Sequence, residues 1–345
     1  MYDIKLTNYT PEPTPVSTDR IIAAHYYAAW KKGAPGIHNG FDDLHDYPER
    51  TPLMGYYDEE NPAVCDWEIK WAVEHGINCF IHCWYRKLDN MGKLVTVNDL
   101  RCGHGLHEAL FHAKYQKFMK FAIMFENSPR WGTTDAVDAV EHGFEGMLFG
   151  LCNGSTDEQV YEENIARGYD FRFGYDSGYI PEKDFPDEEE VINGQCERFK
   201  QYLRLDPMKH IATASCFRDA TPRTTEHWIS MGYKFHKEKK WRLSPEKFRL
   251  VLRGMKEAAD KLPDGAWAKR IMMIDNWNEW DEGHYVSPSH EFGFKYLQAI
   301  REELTMRDNL PDYRTPQDLG LDGYNTSWEI PGFKQICERK LHEYN

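Results

Sequence analysis

Strand-like apolar runs alternate with helix-like runs along most of the chain, and no other feature restricts the fold as strongly. Ile21–Trp30 (IIAAHYYAAW), Ile77–Tyr85 (INCFIHCWY), Met119–Glu126 (MKFAIMFE), Tyr169–Tyr179, His210–Phe217 (HIATASCF) and Arg270–Trp277 (RIMMIDNW) read as strands. Helices are expected over 62–75, 106–118, 156–167, 188–204, 245–262 and 290–304. Asn61-Pro62 and Ser244-Pro245 carry the cap-then-proline pattern of a helix start. Such alternation means parallel strands joined by helices. An open doubly wound sheet would show a Gly-rich phosphate turn after its first strand. Here the first strand runs into Tyr26, Tyr27 and Trp30 instead. Polar and aromatic residues gather where nearly every strand ends, as they do at the C-terminal mouth of an α/β barrel. The expectation is an α/β fold, a (β/α)8 TIM-type barrel with long strand-to-helix loops over residues 21–305. Six of its strands are legible and two are inferred. Residues 1–20 would precede it as a polar segment, and residues 306–345 would pack on it as a C-terminal extension.

Composition narrows the partners. The 345 residues hold 42 Lys+Arg against 56 Asp+Glu, a net charge of −14. That balance argues against nucleic acid, anionic membrane surfaces and polyanionic substrates. The longest apolar runs fall far short of the roughly 18 residues needed to cross a bilayer, so no membrane association is expected. Met1–Arg20 is polar and Pro/Thr-rich without an apolar signal core, which points to a cytoplasmic protein. The 8 cysteines are scattered through a long chain, several in strand-like runs, and read as reduced. The aromatics are abundant: 11 Trp, 20 Tyr and 18 Phe. Such rings fill a large core, and their faces also stack on sugars.

The sharpest motif is Trp277-Asn278-Glu279-Trp280-Asp281-Glu282-Gly283, placed after the last strand and hence at its C-terminal mouth. Carboxyls packed near indoles and near each other are driven to different pKa values, which separates an acid from a base. Residues three apart on a strand face opposite ways, so Glu279 and Glu282 converge only if the chain leaves the strand between them. Gly283 suits such a turn. The plainer alternative is an acidic surface loop under a Trp lid. A carboxyl pair among aromatics fits glycoside hydrolysis, in which one gives a proton and the other is base or nucleophile.

The segment Ile274–Gly283 (IDNWNEWDEG) resembles the Asn-Glu-Trp-x-Glu-Gly signature of glycoside hydrolase family 99 (endo-α-1,2-mannosidase-like) and its WbsX-type relatives, the latter named as glycosyltransferases. Tyr26-Tyr27, Gly55-Tyr56-Tyr57-Asp58 before Asn61-Pro62, Gly76–Tyr85, Phe125–Trp131 (FENSPRW) and Asp219-Ala220-Thr221-Pro222-Arg223 resemble further pieces in order, together spanning about residues 20 to 305. The third strand ends in Met124-Phe125-Glu126-Asn127 where WbsX-type chains usually have Trp-Ala-Asn-Glu, and residues 143–200 match poorly. The resemblance implies Glu282 as the general acid/base on the leaving oxygen. It implies Glu279 as the partner that deprotonates the sugar 2-hydroxyl, as on an α-mannoside.

Other strand-end residues are candidate sugar contacts. Glu126 and Asn127 could take hydroxyls and Trp131 could floor a subsite, or the three could form a helix-entry cap with a buried indole. His82, Trp84 and Tyr85 end the second strand, where His82 is either a core histidine or a contact. Asp219 and Arg223 either grip substrate or pair with each other to hold their turn. Tyr26, Tyr27, Trp30, Asn278 and Trp280 complete the set. Cys79, His82, Cys83, Cys102, His104 and His107 lack zinc-knuckle spacing, and no His-Glu-x-x-His occurs. Neither metal nor cofactor is implied. The expected partner is a neutral or mildly charged oligo- or polysaccharide. The alternatives are a WbsX-type glycosyltransferase, for which no Asp-x-Asp or phosphate loop is found, and a non-catalytic carbohydrate-binding barrel.

Overall fold

The computed structural model describes residues 10–31, 40–86, 100–125, 150–152, 158–159, 162 and 170–320. In chain order the elements that frame the site are β1 (Ile21–Tyr26), α1 (Pro62–Glu74), β2 (Cys79–Arg86), β3 (Lys120–Phe125), β4 (Gly150–Cys152), β5 (Phe171–Phe173), α2 (Glu188–Leu205) and β6 (Ala212–Ser215). They continue with β7 (Phe217–Arg218), β8 (Trp241–Arg242), α3 (Pro245–Asp260), β9 (Ile271–Asp275), β10 (Asn278–Glu279), β11 (His284–Tyr285) and α4 (Lys295–Leu304).

Strand order identifies the architecture. β3 pairs β2, β2 pairs β1, β1 pairs β9 and β9 pairs β6, all parallel. A parallel bridge Arg172↔His210, with backbone bonds at 2.7 and 2.9 Å on either side of it, carries the order on to β5, which pairs β4. Each described crossover therefore steps the same way round, and the last strand lies beside the first. Right-handed crossovers that never reverse put every helix on one face and leave the other face enclosed. This is the order of a (β/α)8-type barrel, with seven parallel strands among the described residues.

Local chemistry accounts for most helix starts. The Asn61 side chain accepts from the Ala63 amide at 2.9 Å and Pro62 opens α1. Asp187 caps α2 through the Glu190 amide at 2.8 Å. Ser244 precedes Pro245 without a side-chain capping bond. The expected 106–118 helix is broken into short turns at 105–109, 110–112 and 116–118. The Tyr115 amide is taken by Asp66 of α1 at 2.9 Å and its hydroxyl by the Thr10 carbonyl at 2.8 Å, so the chain there is held from outside. α4 begins at Lys295 rather than 290, because Gly293 first folds back onto Ser289. Most of the expected 156–167 helix lies outside the described residues.

Register settles which strand positions face inward. His25 on β1 meets the rings of Phe173 and Tyr175 across the interior, 5.7 and 5.4 Å between centroids. Tyr26 faces the other way and donates to Glu68 of α1 at 2.7 Å. Tyr26 is paired with His82 in the register, so alternation puts His82 and Trp84 on the same outer face.

Candidate active site

Asn278–Glu279 and His284–Tyr285 form an antiparallel hairpin at the mouth of β9, with Trp280–Gly283 as its turn. The chain leaves the strand between the two glutamates, as their convergence requires. Gly283 has φ +75°, and a Cβ there would lie 2.8 Å from the Asp219 carbonyl oxygen and 2.9 Å from its amide nitrogen. That contact is needed because the Asp219 amide donates to the Glu282 carbonyl at 2.9 Å, stitching the turn to the segment after β7.

Arg223 is the hub. Its Nη2 lies 3.0 Å from Glu279 and 2.8 Å from Asp281, and its Nη1 pairs with Glu282. The rings of Trp228 and Phe235, each 5.1 Å from the guanidinium carbon, flank it. Glu282 also pairs with Arg218, and His284 Nε2 lies 2.8 Å from its Oε2. Arg218 in turn holds Glu238 at 2.6 Å. Behind His284, its Nδ1 lies 3.0 Å from Asp275, which also accepts from Ser215 at 3.0 Å.

The two glutamates are both nearly shut from solvent, 4% and 7% exposed, yet they are driven apart. Burial pushes Glu279 up to about 8, and the neighbouring charges of Glu282 and Asp281 act the same way against Arg223. Burial also disfavours charge on Glu282, but Arg218, Arg223 and the His284 hydrogen bond overcome it and hold this carboxyl well below the usual range. Asp275 is likewise buried, and His284 and His25 hold it ionised. At the hairpin, burial therefore favours the proton on Glu279, while the arginines favour charge on Glu282.

The other expected contacts divide. Tyr27 and Tyr85 lie beside the cluster, edge to face at 6.2 Å, and Tyr27 is close enough to feel the charges of Glu279 and Arg223. Asp219 and Arg223 do not pair with each other. Asp219 pairs with Arg50 at 2.7 Å and takes the Thr221 amide at 3.1 Å, while Arg223 turns to the carboxyls. Asn278 is fully buried, with its amide clamped to the Tyr27 backbone at 2.8 and 2.9 Å. Trp280 is also buried, donating to the Tyr57 hydroxyl at 3.2 Å. Asn278 thus holds the hairpin to the chain just after β1, and Trp280 holds it to the loop before α1. Tyr26 and Trp84 are corrected to the outer, helix-covered face, and His82 lies there with them as the core histidine of its two readings. His82 packs 4.9 Å from Tyr26 and burial takes it down to about 3, and Trp84 lies 5.4 Å from His107. Trp30 stacks on Phe41 at 4.9 Å in the core. Glu126, Asn127 and Trp131 lie outside the described residues. Sequence inspection missed Arg50, Arg218, Asp275 and His284. Among the described residues no group of three or more His, Cys, Asp or Glu is arranged to hold a metal.

A family model described as glycosyltransferase WbsX matches residues 196–300, which include Arg218, Arg223 and the whole hairpin. The resemblance drawn from the sequence is borne out over that span. No curated protein matches the chain. Among solved structures, the GH99 endo-alpha-mannosidase from Bacteroides thetaiotaomicron in complex with bis-tris propane is similar over 82% of this chain and 95% of its own, at 14% identity and a TM-score of 0.48. A glycoside hydrolase-like protein is similar over 87% and 99%, at 14% identity and a TM-score of 0.49. The barrel rests on the strand order.

Proposed function

We propose that this protein hydrolyses a glycosidic bond in an oligo- or polysaccharide, with Glu279 and Glu282 as the two reacting carboxyls. One arrangement carries the proposal: two carboxyls of one hairpin share the Arg223 guanidinium, and burial pushes Glu279 up while Arg218, Arg223 and His284 hold Glu282 down. Glycoside hydrolysis needs one group to protonate the leaving oxygen and another to activate or make the attack. In the free protein Glu279 bears the proton and is the donor, and ionised Glu282 is the base or nucleophile. The family resemblance implies the reverse assignment, so the two orders are set against each other by experiment. A carboxyl-rich mouth in a chain of net charge −14 favours a neutral or weakly charged glycan.

The description of the matching family model favours a second reading, transfer from a nucleotide sugar. Against it, the two arginines of the mouth, Arg218 and Arg223, are already engaged by Glu238, Asp281 and Glu282 rather than open to a diphosphate.

The test is incubation of the purified protein with α- and β-linked manno-, gluco-, galacto- and rhamno-oligosaccharides, with and without nucleotide sugars, followed by chromatography. Hydrolysis without a nucleotide sugar, lost in Glu279→Gln and Glu282→Gln, is the expected result. Products that form only when a nucleotide sugar is added would make the protein a transferase.

A further inference from the structure

The base proposed above does not stand alone. Glu282 Oε2 and His284 Nε2 are 2.8 Å apart, and His284 Nδ1 and Asp275 Oδ2 are 3.0 Å apart. A carboxylate oxygen and a ring nitrogen at such distances need a proton between them, and Asp275 is already an acceptor from Ser215 Oγ at 3.0 Å and from the Asn276 amide at 3.1 Å. Both ring nitrogens of His284 therefore face carboxyl oxygens, and the Asn276 side-chain amide also lies 3.2 Å from Nδ1. Arg218 Nη1, 2.8 Å from Nε2, converges on the same Glu282 oxygen as a second donor. His25 Nδ1 lies 3.6 Å from the other oxygen of Asp275, and the Tyr175 ring closes the remaining side of His284 edge-on at 5.2 Å. His284, Asp275 and Asn276 are all fully buried.

We infer that His284 is a positioning residue: an imidazolium clamped between Asp275 and Glu282 that holds Glu282 ionised and fixes which of its lone pairs faces the substrate. The inference rests on the role of Glu282 in the proposed reaction. It adds a third carboxyl, Asp275, whose work is to hold the histidine proton and ring plane rather than to touch substrate. Glu282 is thus fastened on one oxygen by Arg218 and His284 and on the other by Arg223, so it can neither rotate nor take up a proton easily.

The closing experiment has a spectroscopic arm and a kinetic arm. In nitrogen-15 NMR of the intact chain labelled at histidine, a signal pair lost in His284→Gln identifies this ring. Both of its nitrogens are expected at imidazolium positions at neutral pH, reverting to neutral at lower pH in Asp275→Asn. A neutral His284 at pH 7 would overturn the inference, whether or not the protein proves to be a hydrolase. In the kinetic arm, His284→Gln and Asp275→Asn are each expected to lower kcat about 10- to 100-fold with little change in KM. Both should also move the acidic limb of the pH profile upward, because a carboxyl that loses a cationic donor is protonated more easily. A fall in activity with the limb unmoved would reduce His284 to a structural part and contradict the inference.

Discussion

Buried charge gathers at both ends of the barrel, and the two gatherings are built differently. At the N-terminal base, Lys70 Nζ lies 2.6 Å from Glu74 and 3.3 Å from Asp312. The Glu74 oxygens also accept from the amides of Thr14 at 3.0 Å and Asp312 at 2.8 Å, so each of them has a donor. This cluster ties the segment before β1, helix α1 and the segment after α4 into one piece. At the C-terminal mouth, Arg223 faces three carboxyls, and Arg218 is shared between Glu282 and Glu238. Glu279 there has one hydrogen-bond donor, Arg223, among the described residues. A closed, fully donated cluster fixes structure, whereas a surplus of acid leaves one carboxyl holding a proton. Barrels commonly divide labour this way, with stability at the N-terminal face and chemistry at the other.

The largest effect should come from the mouth. Glu279→Gln and Glu282→Gln are each expected to lower turnover about 10²- to 10⁴-fold. Glu279→Gln should leave the denaturation midpoint nearly unchanged at about pH 4, where the carboxyl it replaces is neutral in the folded and the unfolded chain alike. A loss of stability as large as the loss of activity would erase the contrast between the two ends.

The base should behave in the opposite way. Lys70→Met leaves two carboxylates without their buried cation and is expected to cost about 3–5 kcal/mol in denaturant unfolding. Turnover of the protein that remains folded should stay within about twofold. A variant as stable as wild type would show that the base cluster does not hold the segments together.

A smaller effect follows from linkage. Glu279 has its folded value raised from 4.5 to about 8, so the folded protein keeps a proton that the unfolded chain releases. That contribution is full below 4.5 and is lost as pH rises through about 8. Wild type should therefore lose stability relative to Glu279→Gln as the pH is raised across that window. Parallel curves would place the proton elsewhere.

The smallest effect belongs to Glu68, buried between β1 and the hairpin, where it accepts from Tyr26 at 2.7 Å and Trp277 at 3.0 Å. Burial pushes it up to about 7. At pH 6 Glu68→Gln should cost about 1 kcal/mol or less by the same unfolding assay. A larger cost would mean that this carboxyl is ionised beneath the site.

The alternation of strands and helices was legible because each strand is a short apolar run and two of the helices open on Asn61-Pro62 and Ser244-Pro245. The Glu279/Glu282 pair was legible because Gly283 and the strand before it demand a turn there. Tyr26 and Trp84 were misplaced, and His82 was left between two readings, because barrel strands are apolar on both faces, so no alternation of polarity tells inside from outside. Asp219 and Arg223 were read as possible partners from their closeness in sequence, yet Asp219 caps its own turn and finds Arg50, 169 residues away. His284 sits one residue beyond Gly283, but its value depends on Asp275 lying behind it, which only the folded hairpin brings about. Arg218 likewise gains its role from a turn 64 residues further on.

The central claim is that the mouth holds one protonated and one ionised carboxyl, and carbon-13 NMR of glutamate-labelled protein tests it most directly. The account predicts a carboxyl signal at the protonated position at pH 6.5 that disappears in Glu279→Gln. Two ionised carboxyls at that pH, or a protonated signal lost in Glu282→Gln instead, would contradict it.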